Sequence, residues 1–331
     1  MWAMLAVVAV AVAACSSPEE TSGGVSASVP AAEPGAIPVT VEQEFGPATV
    51  DTPPRRVAAM GVGDGDNLLA LGVVPVAFAT FSQSDPNQLT NSWNVEAMGD
   101  ATPTILPATS TDFGAEIPRT LATDPDLVTA IGAEPTRDQY NSLSKAAPTI
   151  LRQSQYPAWL VPWDAAVRQV GTAVGLPDLA QRKIDETNTF LAGVRADNPE
   201  FAGKKAVVVV FDGTSVSVFG PKDGRAQTVA DYGFTFPAEL GPAITDGFYG
   251  TLSPERYDLL DSADVIVALD TGADGNARLQ ADPSFSRLDV AREGRVVYVS
   301  QEVGNGMSLP NLLTIPWVAE QMVGPIAEVV E

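Results

Sequence analysis

Between Pro177 and Asp197 the chain reads PDLAQRKIDETNTFLAGVRAD, and Ala180, Ile184, Thr187, Leu191 and Val194 recur along it at alternating steps of four and three. That spacing puts them on one narrow stripe of a helix, with Arg182, Lys183, Asp185 and Glu186 off it. Pro177 suits a first helical position, and Asn198-Pro199 ends the run because the residue before proline is pushed out of the helical region.

The chain on the two sides of this helix follows one pattern. Ile117 to Ile131 reads as a helical segment, an acidic turn and a β-rich run, and Ser253 to Leu269 has the same order. Each half also opens on a β-rich run, at Arg56 and at Lys205. This predicts two Rossmann-like α/β lobes with mostly parallel sheets, joined by one long helix.

Taken in order, the alternation in Val39 to Val50 predicts a hairpin or edge strand, and the segment after it predicts strand, tight turn, short helix and strand. The turn Gly61-Val62-Gly63-Asp64-Gly65-Asp66 resembles a dinucleotide fingerprint but lacks its third glycine and puts carboxylates where a pyrophosphate would sit. Asp66 reads instead as an N-cap for a helix beginning at Asn67. Phe81 to Pro103 reads as a long polar loop over a cleft edge. Beyond it come a strand at Leu127 to Ile131, a helix at Arg137 to Lys145, a strand at Thr149 to Leu151 and a helix at Trp163 to Val174. The second half predicts strands at Lys205 to Phe211, Val216 to Phe219, Val265 to Leu269 and Val296 to Val299, and a helix at Arg225 to Tyr232. Leu309 to Val330 reads as a terminal helix kinked or split at Pro316. Asp270 to Asp282 resembles a calcium loop but has Gly272 and Ala281 where oxygen ligands belong, so it reads as a solvated turn.

The N-terminus differs in kind. Its first fourteen residues, MWAMLAVVAVAVAA, form an apolar run too short to cross a bilayer, ending at Cys15, the only cysteine. Residues 1–15 therefore read as a signal peptide, with Val12-Ala13-Ala14-Cys15 resembling the lipobox of bacterial lipoproteins, and Cys15 as the lipidation site. Residues 16–38, rich in Ser, Gly, Pro, Ala and Glu, read as a disordered tether. That leaves residues 39–176 for the first lobe, 177–197 for the joining helix and 198–331 for the second. With 331 residues, two cores of roughly 100–200 residues each are available.

Composition then narrows the chemistry. A formal charge of −22, from 41 acidic and 19 basic residues, opposes phosphate-backbone binding to nucleic acid. The sequence has no histidine. Histidine-based triads, the usual zinc enzymes and histidine-built metal capture sites are therefore excluded, and no metal site or catalytic residue is predicted. A carboxylate pair of the glycosidase kind survives as a second alternative, a secreted carbohydrate-active enzyme.

The motifs Pro54-x-Arg-Val-Ala-Ala-Met-Gly-Val-Gly-Asp, Leu68-Leu-Ala-Leu-Gly-Val-Val-Pro-Val, Asp124-Pro-Asp-Leu-Val, Tyr140-x-x-Leu-Ser-x-Ala-Ala-Pro-Thr-Ile, Asp231-Tyr-Gly-Phe-Thr-Phe-Pro, Leu252-Ser-Pro-Glu and Glu293-Gly-Arg-Val-Val-Tyr-Val carry a further reading. In this order, behind a lipobox and around a strut helix, they resemble the iron-siderophore-binding lipoproteins of ABC importers, a helix-linked group that includes cobalamin and haem binders. The resemblance covers Val39 to the C-terminus. It implies a non-enzymatic, monomeric receptor, lipid-anchored outside the cytoplasmic membrane, that captures ferric siderophore in a shallow interlobe cleft with little closing motion and delivers it to a permease and its ATPase. Iron stays inside its chelator, so no cofactor is implied. Cobalamin or haem bound by the same fold is the first alternative. The family also implies a docking glutamate on each lobe. Glu255 matches in the second. In the first the expected position is Pro118, and Glu116 substitutes through a shift of the loop. A large ferric chelate buries well against aromatic faces, and many are anionic, which selects Trp93, Tyr140 and Trp159 from the first lobe and Arg225, Phe248 and Tyr249 from the second as ligand contacts.

Overall fold

A computed structural model of the chain describes residues 27–81, 85, 87–107, 113–245, 247–270, 272 and 274–330. The apolar leader, Cys15 and the first part of the expected tether lie outside the described residues.

The first lobe opens with the hairpin of β1 (Val39–Val41) and β2 (Ala48–Val50). It continues through β3 (Val57–Ala59), α1 (Asp64–Ala70), β4 (Ala77–Thr80), α2 (Val95–Met98), β5 (Thr104–Pro107), α3 (Phe113–Leu121), β6 (Leu127–Ala130), α4 (Arg137–Ser144), β7 (Thr149–Leu151) and α5 (Trp163–Ala173). Its five strands lie in the order β5-β4-β3-β6-β7 and every pairing is parallel. Alternation builds two cores from one sheet. Val57, Ala59 and Leu127 face the helices α1 and α5, whereas Ala58, Val128 and Ala130 face the opposite layer with Leu143.

After α6 (Pro177–Asp197) the second lobe runs through β8 (Ala206–Phe211), β9 (Val216–Phe219), α7 (Gly224–Asp231), β10 (Tyr249–Leu252), β11 (Val265–Leu269), α8 (Gly275–Ala281), α9 (Asp289–Arg292), β12 (Val296–Val299), α10 (Gln301–Ser308) and α11 (Thr314–Val330). The sheet order is β10-β9-β8-β11-β12, with β8, β11 and β12 parallel and β9 antiparallel to both of its neighbours, β8 and β10. Val208, Val265 and Val267 face one layer with Met307 and Met322, while Val207, Val209, Ile266 and Ala268 face the other with Phe285.

Helix α6 carries its stripe into both lobes. Ala180 and Ile184 belong to the first lobe's core, and Leu191, with Val194 against it, belongs to the second's. Its 21 residues span about 30 Å. Its N-terminal N–H groups are capped from a distance: the Glu33 carboxylate accepts from Asp178 N at 2.7 Å and Leu179 N at 2.9 Å. This corrects the expected tether boundary. Residues 27–38 lie against the first lobe, with Ser28 bridged to Val74 and Ile37 packed on its core.

Other local expectations also change. Asp66 is not an N-cap: α1 starts at Asp64 behind Gly63, whose φ of +83° glycine accepts without strain, and Asp66 is buried in the first turn. Most of Asp270 to Asp282 is not a turn but α8. Pro316 neither kinks nor splits a helix. The span expected as one helix is an irregular link at 309–313 and then α11, with Pro316 in the first turn, where a missing N–H is harmless. The segment expected as a long polar loop contains α2.

Candidate functional site

The loop after β3 approaches the loop after β6 so closely that only glycine fits at the contact. A Cβ on Gly132 would lie 2.0 Å from Val62 O, and one on Gly61 would lie 2.5 Å from the Asp64 carboxylate. Asp64 closes this contact by accepting from Ile131 N at 2.9 Å and Gly132 N at 3.1 Å. Burial pushes its carboxyl up to about 6, against the lowering effect of those N–H groups. The glycines of the dinucleotide-like turn thus serve a backbone contact, and the carboxylate points at it rather than at a phosphate.

This contact forms one wall of a cleft between the lobes, about 640 Å³ of unfilled space that is partly continuous with solvent. The first lobe contributes residues 62–64, Asn67, 131–132 and the 159–163 segment, and the second contributes Lys222, Gly224, Gln227 and the link 308–311. Trp159 stands out on its wall. It occupies φ +65° in a turn closed by Leu160 N to Pro157 O at 3.2 Å, and it stays 42% exposed. A non-glycine residue in that region costs about 1–2 kcal/mol, so the turn holds an indole toward the opening at some expense.

Next to Gly224 and Ser308 of that lining the second lobe carries an aromatic patch, reached through Arg225 and outside the lining itself. Tyr249 on β10 pairs in register with Phe219 on β9, and the Phe248 ring meets Tyr249 edge-on at 5.4 Å. The Arg225 guanidinium lies 3.7 Å over the Phe219 ring. Its Nε and Nη2 donate to the two Asp223 oxygens at 2.8 Å each, and Nη1 reaches Ser308 Oγ at 3.4 Å. Asp223 is 2% exposed and also receives Arg225 N, so it fixes the start of α7 and the guanidinium together. The structure therefore brings Arg225, Phe248 and Tyr249 into one patch on the second lobe, and Trp159 is the one of the six candidates that lines the cleft itself.

It places the other two aromatic candidates elsewhere. Trp93 donates Nε1 to Asp66 at 2.9 Å and packs 5.3 Å from Trp317, at the seam between the lobes. Asn94 and Asn311 also donate to Asp66, whose carboxyl is raised by burial and lowered by these three donors. Tyr140 accepts from Gln43 Nε2 at 3.0 Å and packs on Phe45, outside the cleft lining. Glu255 is exposed at the start of the 3-10 segment Pro254–Ser262, and a hydrogen bond from Ser253 holds its carboxyl below the usual range. Glu116 lies within α3, half-buried and 3.5 Å from Arg119. No loop shift relates it to Pro118: both are helical, and two residues turn a helix by about 200°.

Sequence reasoning missed Asp64, Lys222, Gln227 and the 308–311 link as cleft residues. The paired glycines beside Asp64 were the available signal; the others depend on contacts distant in sequence. Among the described residues no group of His, Cys, Asp or Glu is placed to hold a metal ion, and Asp64 is the one carboxylate in the cleft lining, without the partner that glycoside hydrolysis needs.

A family model described as periplasmic binding protein matches residues 57–303. The ferric-anguibactin-binding protein FatB of Vibrio anguillarum is 25% identical over 289 residues, 82% of each chain. A periplasmic solute binding protein from Mycobacterium smegmatis superposes with TM-score 0.78 at 27% identity, over 88% of this chain and 99% of that one. PiaA from Streptococcus pneumoniae in complex with ferrichrome gives 0.75 at 23%, over 88% and 98%.

Proposed function

The chain belongs to the periplasmic binding protein family, and from that premise we propose that it is the extracytoplasmic receptor of an ABC importer, capturing a ferric siderophore between its lobes and passing it unchanged to a permease. The observation that carries this is an interlobe cleft lined by a strained, exposed Trp159 and bordered, where Arg225 reaches Ser308, by the Phe219, Phe248 and Tyr249 patch. A bulky chelate with apolar flanks buries between such faces. The names of the relatives support the reading: FatB is a ferric-anguibactin-binding protein, and PiaA was crystallised with ferrichrome. Glu255, with Glu116 in a lesser part, docks the permease. Cys15 carries the lipid that holds the body at the membrane; among the described residues no helix is long and apolar enough to cross one.

Quenching of tryptophan fluorescence by a panel of ferric hydroxamates, catecholates and carboxylates, with haem and cobalamin, tests this. One ferric class should saturate the protein, and Trp159→Ala should weaken it about tenfold or more, the loss of roughly 1.4 kcal/mol of stacking and burial. Binding of haem or cobalamin alone would replace the ligand, and chemical conversion of any ligand would replace the receptor by an enzyme. For the anchor, metabolic labelling with a fatty acid should mark the wild type and not Cys15→Ser.

A further inference from the structure

The cleft carries little charge. Of the described side chains lining it only Asp64 and Lys222 ionise; their formal charges cancel, and Asp64 is bonded to the backbone N–H groups of Ile131 and Gly132 rather than to Lys222. Arg225, whose guanidinium lies over Phe219 of the aromatic patch, is engaged through a two-pronged pair with Asp223. Asp223 is 2% exposed. A ligand anion that took over the guanidinium would leave that carboxylate buried and unpaired, which costs more than a surface ion pair returns. The remaining polar lining, Asn67, Gln227, Ser308 and Asn311, is uncharged. Around this neutral wall the chain carries a net charge of −22, a field that slows the approach of anions.

We infer that the cleft selects a ferric chelate whose coordination core carries no net charge, of the tris-hydroxamate type, and rejects the triply anionic tris-catecholate type. Three singly charged hydroxamates cancel the charge of Fe³⁺, whereas three doubly charged catecholates leave three negative charges against one cation, Lys222, among the described residues of the lining. The inference rests on the receptor reading above and narrows its ligand. Arg225 is on this account a positioning residue: it flattens Phe219 and fixes the start of α7 rather than pairing with the ligand.

The test is a pair of fluorescence titrations of the purified protein, with ferrichrome as the uncharged tris-hydroxamate and ferric enterobactin as the tris-catecholate trianion, in the wild type and in Asp223→Asn. Asparagine still caps α7 but frees the charge of Arg225. The wild type should bind ferrichrome and prefer it to the trianion by about a hundredfold or more, and the preference should persist in about 0.5 M salt, where long-range fields are screened. Asp223→Asn should move the ratio toward the trianion by roughly tenfold. Equal or tighter binding of the trianion by the wild type would overturn the charge selectivity and leave the receptor standing. A variant that weakens both chelates alike would overturn it as well, since that is what a purely structural Asp223 predicts. Binding of neither chelate, with haem or cobalamin saturating instead, would overturn both this inference and the ferric-siderophore reading.

Discussion

Asp231, the last residue of α7, is a carboxylate in a place that suits the acid form. Burial raises its carboxyl to about 6, Arg195 pulls it down and Asp164 pushes it up. The Arg195 bond goes to the Asp231 backbone carbonyl, at 2.6 Å, so the carboxylate is left with an ion at a distance. A folded value above the unfolded one means that this group's contribution to stability is complete below about 4 and is lost as the pH rises through about 6. Asp231→Asn keeps the shape and removes the charge. The variant should therefore melt higher than the wild type at pH 8, by an amount on the order of 1 kcal/mol after allowance for partial exposure, and the difference should vanish near pH 4. A melting difference independent of pH would show that the substitution acts by packing alone. Asp64 follows the same logic with less freedom, because both its oxygens accept backbone N–H groups that an asparagine could satisfy only in part.

Helix α6 is one of two connections that set how the lobes sit. The other is the link at 309–313: Leu312 packs in the first lobe's core, and Leu313 packs beside Leu69 and Phe78. Asn311 Nδ2 donates to Asp66 at 3.2 Å, and Ser92 N donates to Glu302 at 2.8 Å. Leu312→Ala should cost about 2–4 kcal/mol and split a single thermal transition into two, as the second lobe's plug leaves the first. Two transitions already present in the wild type would sink the welding argument. The contrast between these connections marks what the sequence discloses. The stripe of α6 and the apolar runs of β8 and β11 are local periodicities, and they are legible for that reason. The link belongs to the span Leu309 to Val330 that reads as one helix; what unwinds it is a set of partners some 245 residues away. Asp66 looked like a cap by the same local logic, and tertiary donors overrode it. Within the candidate site, aromatic and basic residues were visible as types. Their grouping was not, because the patch depends on the register of β9 with β10, and the turn that lifts Trp159 has no glycine to announce it.

At the scale of the whole molecule, a strongly acidic body must meet a partner at a chosen face, and its overall charge cannot make that choice. A docking carboxylate has to be ionised, exposed and not already paired. Glu255 meets these conditions: it is exposed, and the Ser253 hydrogen bond keeps it ionised. Glu116 meets them poorly, half-buried and paired with Arg119 on its own helix. Rim charges act mainly on encounter rate and register, and Glu255 lies outside the cleft lining. Glu255→Ala should therefore leave the ligand dissociation constant unchanged and reduce uptake in cells several-fold, more than Glu116→Ala does. Charge reversal, Glu255→Lys, should reduce uptake further still, because a lysine repels the cationic surface that a docking carboxylate would pair with, where alanine is merely silent. Equal uptake by wild type and Glu255→Ala at limiting ligand would remove the residue from the docking face. A larger loss for Glu116→Ala would mean that the Arg119 pair opens on contact and that the first lobe leads the encounter.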